Sequence, residues 1–228
     1  MTETLLIGQE ALHAAAALAG IITSWVSYRR TEHPAYAVMA AGQASWLLAT
    51  VYWALHLGLM NQAPPEPSIS TLGYSGAFLF FIAVNRLVRL PHEKSAPPLA
   101  LLAGATAFQF AGLWFVYSRG QAFVNLLWAA GMAYMLFLSA RSLLAARKPL
   151  PGQPALARYH GAVLLFILAD EAVTLLDAVA RGRGYGEVAA LFIATAVEAL
   201  LLLTMALALR AASASLPARL PEGQTDEP

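Results

Sequence analysis

The chain has 228 residues, 59% hydrophobic and only 12% charged, with a formal net charge of +1 and no cysteine. A soluble domain of this length has no single core able to hide so much apolar side chain, so lipid is expected to cover the excess. The near-neutral charge excludes the concentrated Lys and Arg face of a nucleic-acid binder, and the missing cysteines exclude disulfides, thiolate metal sites and thiol catalysis.

A hydrocarbon layer about 30 Å thick is crossed by roughly 20 helical residues, and seven stretches have that length. The amino terminus, Met1-Thr2-Glu3-Thr4, lacks the basic region that precedes a cleaved signal peptide. The first span, from about Leu5 to Tyr28, is therefore expected to stay in the mature protein. It ends at Arg29-Arg30, and a second span runs from about Tyr36 to Met60. The turn at Ala63-Pro64-Pro65-Glu66-Pro67 stops it, because adjacent prolines cannot continue a helix. The third span, about Ile69 to Leu90, reaches the basic loop His92-Glu93-Lys94. The fourth covers about Pro98 to Ser118, with Gly120 marking the next turn. The fifth runs from about Gln121 to Ala146. After Arg147-Lys148, the residues Pro149, Pro151, Gly152 and Pro154 read as the longest internal linker. The sixth span is about Ala155 to Ala180, and Arg181-Gly182-Arg183-Gly184 is expected to break the chain before a seventh from about Tyr185 to Arg210. Residues 211–228, rich in Ala, Ser and Pro and ending in acids, read as a disordered cytoplasmic tail.

Orientation follows from the Lys and Arg bias of the loops. With the amino terminus outside, Arg29, Arg30, Arg86, Arg89, Lys94, Arg141, Arg147, Lys148, Arg158, Arg210 and Arg219 face the cytoplasm, and only Arg119, Arg181 and Arg183 stay outside. The predicted fold is thus all-α: a polytopic bundle of seven transmembrane helices in one domain, 1–210, with an external amino terminus and a cytoplasmic carboxyl terminus. Trp25, Tyr28, Trp114, Tyr117 and Tyr185 near the span ends read as interfacial anchors.

Charged side chains inside lipid are costly and usually face a bundle interior. Glu10 and His13, three residues apart, share a face of the first span. Asp170, Thr174 and Asp177 form one stripe of the sixth, from which Glu171 points about 100° away. Glu198 lies near the middle of the seventh span, and Tyr52 and His56 are four apart in the outer half of the second. If their helices are neighbours, Glu10, His13, Tyr52, His56, Asp170, Asp177 and Glu198 line an outward-opening pocket for a small molecule. Two further stripes, Gln43, Trp46, Thr50, Trp53 and Gln121, Asn125, Trp128, Met132, suit interhelical hydrogen bonding. Asn85-Arg86 reads as snorkelling to headgroups.

Other chemistries stay open at these residues. Glu10-x-x-His13 has the spacing used by di-iron bundles, but no second such pair exists. A single metal ion is conceivable on Glu10, His13 and His56, with Asp170, Glu171 or Glu198 as further ligands. Haem between His13 and His56 is a further reading, as is a proton-coupled carrier using the mid-membrane acids. The bland alternative is that Glu10 pairs with His13 and the later acids, protonated or hydrogen-bonded, hold the bundle together. Retinal is excluded, since both lysines, Lys94 and Lys148, lie in loops. Hydrolase, zinc-protease and phosphate-loop signatures are missing.

The run Gly42-Gln43-Ala44-Ser45-Trp46-Leu47-Leu48-Ala49-Thr50-Val51-Tyr52-Trp53, followed by Pro64-Pro65-Glu66-Pro67-Ser68 and Tyr74, looks like a second segment. That segment runs from Gly161 to Asp170 and through the turn Gly182 to Gly186 into the last span. The first resembles the Trp, Gly-Asp, Tyr-Trp, Pro-Pro-x-Pro-Ser pattern of the seven-span amino-terminal sensor regions of bacterial diguanylate cyclases and histidine kinases. The second, with Ala169-Asp170, resembles their later Ala-Asp pattern. The chain departs from the first pattern at Ala49-Thr50, where the family has Gly-Asp, so only Asp170 of the two acids matches. The resemblance implies a sensory module of the bacterial inner membrane. With no cyclase or kinase domain after Arg210, it implies signalling through a cytoplasmic partner, or a scaffold turned to another use. The alternatives are a membrane-embedded metal-dependent enzyme or a proton-coupled carrier.

Overall fold

The structure is a computed structural model and describes residues 2–62, 64, 68–89, 99–116, 122–146, 153–183 and 188–216. The proline-rich turn after Gln62 apart from Pro64, the loop at His92 to Lys94, Tyr117, Gly120, Gln121, the linker from Arg147 to Gly152, Gly184, Tyr185 and the tail from residue 217 lie outside them, as does the side chain of Trp114.

The described backbone is all-α, as a chain in lipid requires, because a helix satisfies its own N–H and C=O groups. Seven helices follow one another: α1 (Thr2–Thr31), α2 (Pro34–Met60), α3 (Ile69–Leu87), α4 (Leu99–Val116), α5 (Ala122–Ala145), α6 (Gln153–Arg183) and α7 (Val188–Ala211), with a short 3-10 turn at Ser213–Ser215. Among the described residues five stretches are long and apolar enough to cross a membrane: Ile7–Thr31, Pro34–Met60, Asn125–Ala145, Pro154–Asp177 and Ala190–Ala211. Helix α4 is apolar in sequence apart from Thr106 and Gln109, and α3 carries Asn85 and Arg86 in its last turn. The protein is a multi-pass helical membrane protein in contact with lipid.

Local chemistry sets the helix ends, and several fall away from the expected positions. At the start of α2, His33 Nδ1 accepts the Ala35 N–H at 3.3 Å and Pro34 occupies the first turn, where its missing N–H costs nothing. The helix therefore begins two residues before the expected Tyr36. Asn61 ends it in the left-handed region at φ 54°, a conformation Asn tolerates. Ser68 and Thr71 cap α3 reciprocally, the Ser68 hydroxyl accepting the Thr71 N–H and the Thr71 hydroxyl accepting the Ser68 N–H. Two expected breaks are corrected. Pro154 lies in the first turn of α6 rather than in a linker, and α6 continues through Arg181 and Gly182 to Arg183. A single interior glycine costs about 1 kcal/mol, too little to stop a long helix of good formers.

The packing order is a ring. Each of α1, α2, α3, α5, α6 and α7 packs on the next, and α7 closes onto α1. Helix α4 packs against α5 and α6 from outside the ring. Its composition explains the exclusion: apart from Thr106 and Gln109 its described residues are apolar or glycine, and its buried residues are Ala105 and Gln109. The ring is filled by Trp46, Phe78, Phe81, Met132, Tyr159, Phe166, Met205 and their neighbours. Close approach of α2 to α3 depends on two glycines, since a Cβ on Gly42 would stand 2.7 Å from the Phe81 ring and one on Gly73 2.8 Å from Ala49 Cβ. Polar links tie α2 to α7: Tyr36 donates to the Leu209 carbonyl at 3.2 Å and Gln43 Nε2 to the Leu202 carbonyl at 2.9 Å.

Candidate functional site

Ring closure brings α1 and α7 side by side, and with them His13 and Glu198, residues 185 positions apart. His13 Nε2 stands 3.3 Å from Glu198 Oε2, an ion-pair distance without the alignment of a hydrogen bond. Both are buried, at 7% and 2% exposure. Glu10, one turn earlier on α1, lies within electrostatic reach of both. From α6, Asp170 enters the same interior at 5% exposure, within electrostatic reach of the Glu198 carboxyl and beside the Trp128 indole of α5. Four ionisable groups from three helices thus meet in the ring interior. Carboxyl groups that feel one another in a dry interior are stabilised by a shared proton or a nearby cation.

Aromatic rings bound this cluster. The Trp46 ring meets His13 edge-on with centroids 6.1 Å apart, and it also contacts Tyr74 at 4.8 Å, Phe78 at 5.8 Å and Phe166 at 5.3 Å. Trp128 closes the wall against Phe78 at 4.6 Å and Tyr74 at 6.4 Å. The Tyr74 hydroxyl lies 3.3 Å from Thr50 Oγ1, within electrostatic reach of Glu10, Asp170 and Glu198.

Hydrogen bonding here is incomplete. Gln9 Nε2, Glu10 Oε2, Trp46 Nε1 and Asp170 Oδ2 are buried with no protein hydrogen-bond partner among the described residues. A buried polar group left unsatisfied costs about 1–3 kcal/mol, and native structures rarely leave several together. Donors (Gln9, Trp46) and acceptors (Glu10, Asp170) both go unmet, so the cluster suits protons, water or a polar small molecule.

Not every residue expected at the site comes to it. His56 Nδ1 is engaged with the Gln62 carbonyl at 2.9 Å, at the end of its own helix, and Tyr52 packs on the His56 ring at 6.1 Å. Asp177 is half-buried two turns beyond Asp170, about 10 Å along the helix. Glu171 leaves the interior on the other side of α6, where its carboxylate presses on Gly112 of α4. Among the described residues no three His, Asp or Glu side chains are grouped so as to hold a metal ion.

Sequence reasoning missed the aromatic members and Thr50. Trp46, Thr50 and Trp128 stood in stripes assigned to helix packing, and Tyr74 carried no polar periodicity of its own. One reading is corrected: Asn85 does not snorkel. It is buried, its amide donates to the Phe81 carbonyl at 3.2 Å, and its Oδ1 lies 3.0 Å from His160 Nδ1. Arg86 beside it is exposed.

No known protein family, no characterised protein and no solved structure matches the chain.

Proposed function

We propose that the protein is a sensory or ligand-binding module of the bacterial inner membrane. In this reading all seven helices cross the bilayer, with the amino terminus outside and the arginine-rich helix ends facing the cytoplasm. Its binding centre is the cluster of Glu10, His13, Asp170 and Glu198 against Trp46, Tyr74 and Trp128. The observation that carries this reading is the convergence of four ionisable groups from α1, α6 and α7, with polar atoms left unmet at the point where they meet. A purely structural network would be expected to satisfy itself, because each orphaned atom weakens the bundle.

A ligand bound there touches helices that share few other polar links, so it favours one α1, α6, α7 arrangement over another. Such a shift requires different affinity for the two arrangements, and cytoplasmic helix ends would carry it to a partner. Native mass spectrometry of the full chain released from mild detergent tests the site. A small molecule bound at unit stoichiometry to the wild type and missing from Asp170→Asn is the expected result. A wild type free of bound small molecule, together with no saturable thermal shift across a polar small-molecule library, would remove the reading. Accumulation of the bound compound inside proteoliposomes would replace sensing with transport.

A further inference from the structure

The charge inventory around the cluster is one-sided. Glu10, Asp170 and Glu198 supply three carboxyl groups, Glu171 lies within electrostatic reach of Asp170, and among the described residues the basic side chain beside them is His13. On their own helices, arginine comes no nearer than Arg29 on α1, Arg158 and Arg181 on α6 and Arg210 on α7. Each is at least eleven residues away from its cluster residue, about 16 Å or more at helical rise. On α3 and α5 the nearest are Arg86 and Arg141, twelve and thirteen residues from Tyr74 and Trp128. Among the described side chains no permanent protein cation is therefore placed to balance the acids.

The other groups at the cluster are the rings of Trp46 from α2, Tyr74 from α3 and Trp128 from α5, with the neutral Gln9 amide and Thr50 hydroxyl. Carboxyl groups attract cations and repel anions, and an aromatic wall adds to that wherever it turns a ring face to the charge. A metal ion is the poorer fit, since no group of three His, Asp or Glu side chains is arranged to hold one among the described residues. The unpartnered Asp170 Oδ2, buried on a side chain that is 5% exposed, is an acceptor without a donor. An N–H-bearing cation supplies that donor and the missing charge together.

On the ligand-binding reading above, we infer that the ligand is a small organic cation, an ammonium or guanidinium group seated between Asp170 and Glu198 against the rings of Trp46, Tyr74 and Trp128. Where the empty site holds protons, the cation displaces them.

The test uses the detergent-solubilised full chain and probes of similar size but different charge: tetramethylammonium and methylguanidinium chlorides, neutral tert-butanol, anionic pivalate, and sodium chloride at equal ionic strength. At least one of the two cations should raise the melting temperature saturably where sodium chloride does not. Asp170→Asn and Glu198→Gln should each weaken that response tenfold or more. Calorimetry of the same cation in two buffers of different ionisation heat should show about one proton released. If one of the variants does not fold, Glu10→Gln takes its place. A cation response unchanged in these variants overturns the proposal. A saturable response to tert-butanol or pivalate that Asp170→Asn abolishes overturns the cationic class but leaves the binding site standing. No response to any probe, while a neutral or anionic molecule copurifies with the wild type, has the same meaning. No response and no copurifying molecule removes both the class and the site.

Discussion

His13 and Glu198 show most directly how a buried pair in lipid divides between structure and chemistry. Their 3.3 Å separation joins the first helix to the last, and removing one partner leaves the other, at 2–7% exposure, without its ion-pair partner. His13→Leu is expected to cost about 1–3 kcal/mol, the penalty for an unmet buried polar group. Glu198→Leu should cost a similar amount, and the double variant less than the sum of the two. The coupling read from reversible unfolding in mixed micelles should be about 0.5–1.7 kcal/mol, the range for polar pairs between membrane helices. Additive losses would mean that the pair makes no net bond and that the helices are held by apolar contact alone. The depth of these residues was legible in the sequence, because helical rise places Glu10, His13, Asp170 and Glu198 at comparable heights. Their contact was not, since it depends on α7 returning to α1, and periodicity within one helix says nothing about which helix stands beside it. His56 shows the converse. It has suitable spacing and depth, but it lies near the carboxyl end of α2, where a backbone carbonyl, that of Gln62, is at hand.

At the scale of whole helices, ends and close approaches carry the consequences. Glu32 follows α1 with φ 55°, its N–H bonded to the Tyr28 carbonyl at 2.7 Å. This is the position where glycine usually closes a helix, and a side chain there costs roughly 1 kcal/mol. Glu32→Gly should raise the melting temperature by about 2–4 °C, the shift that 1 kcal/mol gives in a chain of this size. A lower value would show that the Glu32 side chain makes an offsetting contact. Helix α4 depends on Gly112 for the opposite reason. The Glu171 carboxylate occupies the place a Cβ would take, so Gly112→Ala must push α4 off α6 or turn Glu171 aside. A loss of about 1–3 kcal/mol is expected, as for other overpacked contacts, and Gly112→Ala with Glu171→Ala should recover most of it. If the double variant is no better than Gly112→Ala alone, the strain lies elsewhere. The helices themselves were legible, because long apolar runs between basic turns have few other solutions in lipid. Their boundaries slipped at His33-Pro34, where a cap starts the helix early, at Pro154, which a first turn tolerates, and at Gly182, which a long helix absorbs.

For the molecule as a whole, the ring order makes the proposed orientation testable, because sequence-adjacent helices α1, α2 and α3 are also spatial neighbours joined by short connections. Neighbours joined in this way must run antiparallel, so successive connections emerge on opposite faces of the bilayer. Thr31, between α1 and α2, and Ala214, beyond α7, should then share the face that carries Arg29, Arg30 and Arg210. Gln62, between α2 and α3, should lie on the other. All three are exposed, and the natural chain has no cysteine to interfere. A membrane-impermeant maleimide added to intact cells should label Gln62→Cys and spare Thr31→Cys and Ala214→Cys, and cell disruption should expose those two. The reverse pattern would invert the orientation and turn the acid cluster toward the cytoplasmic half. Labelling of Thr31→Cys and Ala214→Cys from opposite sides would mean that one helix does not cross, and α3 or α4 would be the one to examine. Helix α3 ends in the buried Asn85 and exposed Arg86, and α4 packs from outside the ring. The cluster's place follows from the same result. Its α1 members lie nearer the start of that helix than its arginines, so an external amino terminus puts Glu10 and His13 in the outer half of the bilayer, where a ligand arriving from outside would meet them first.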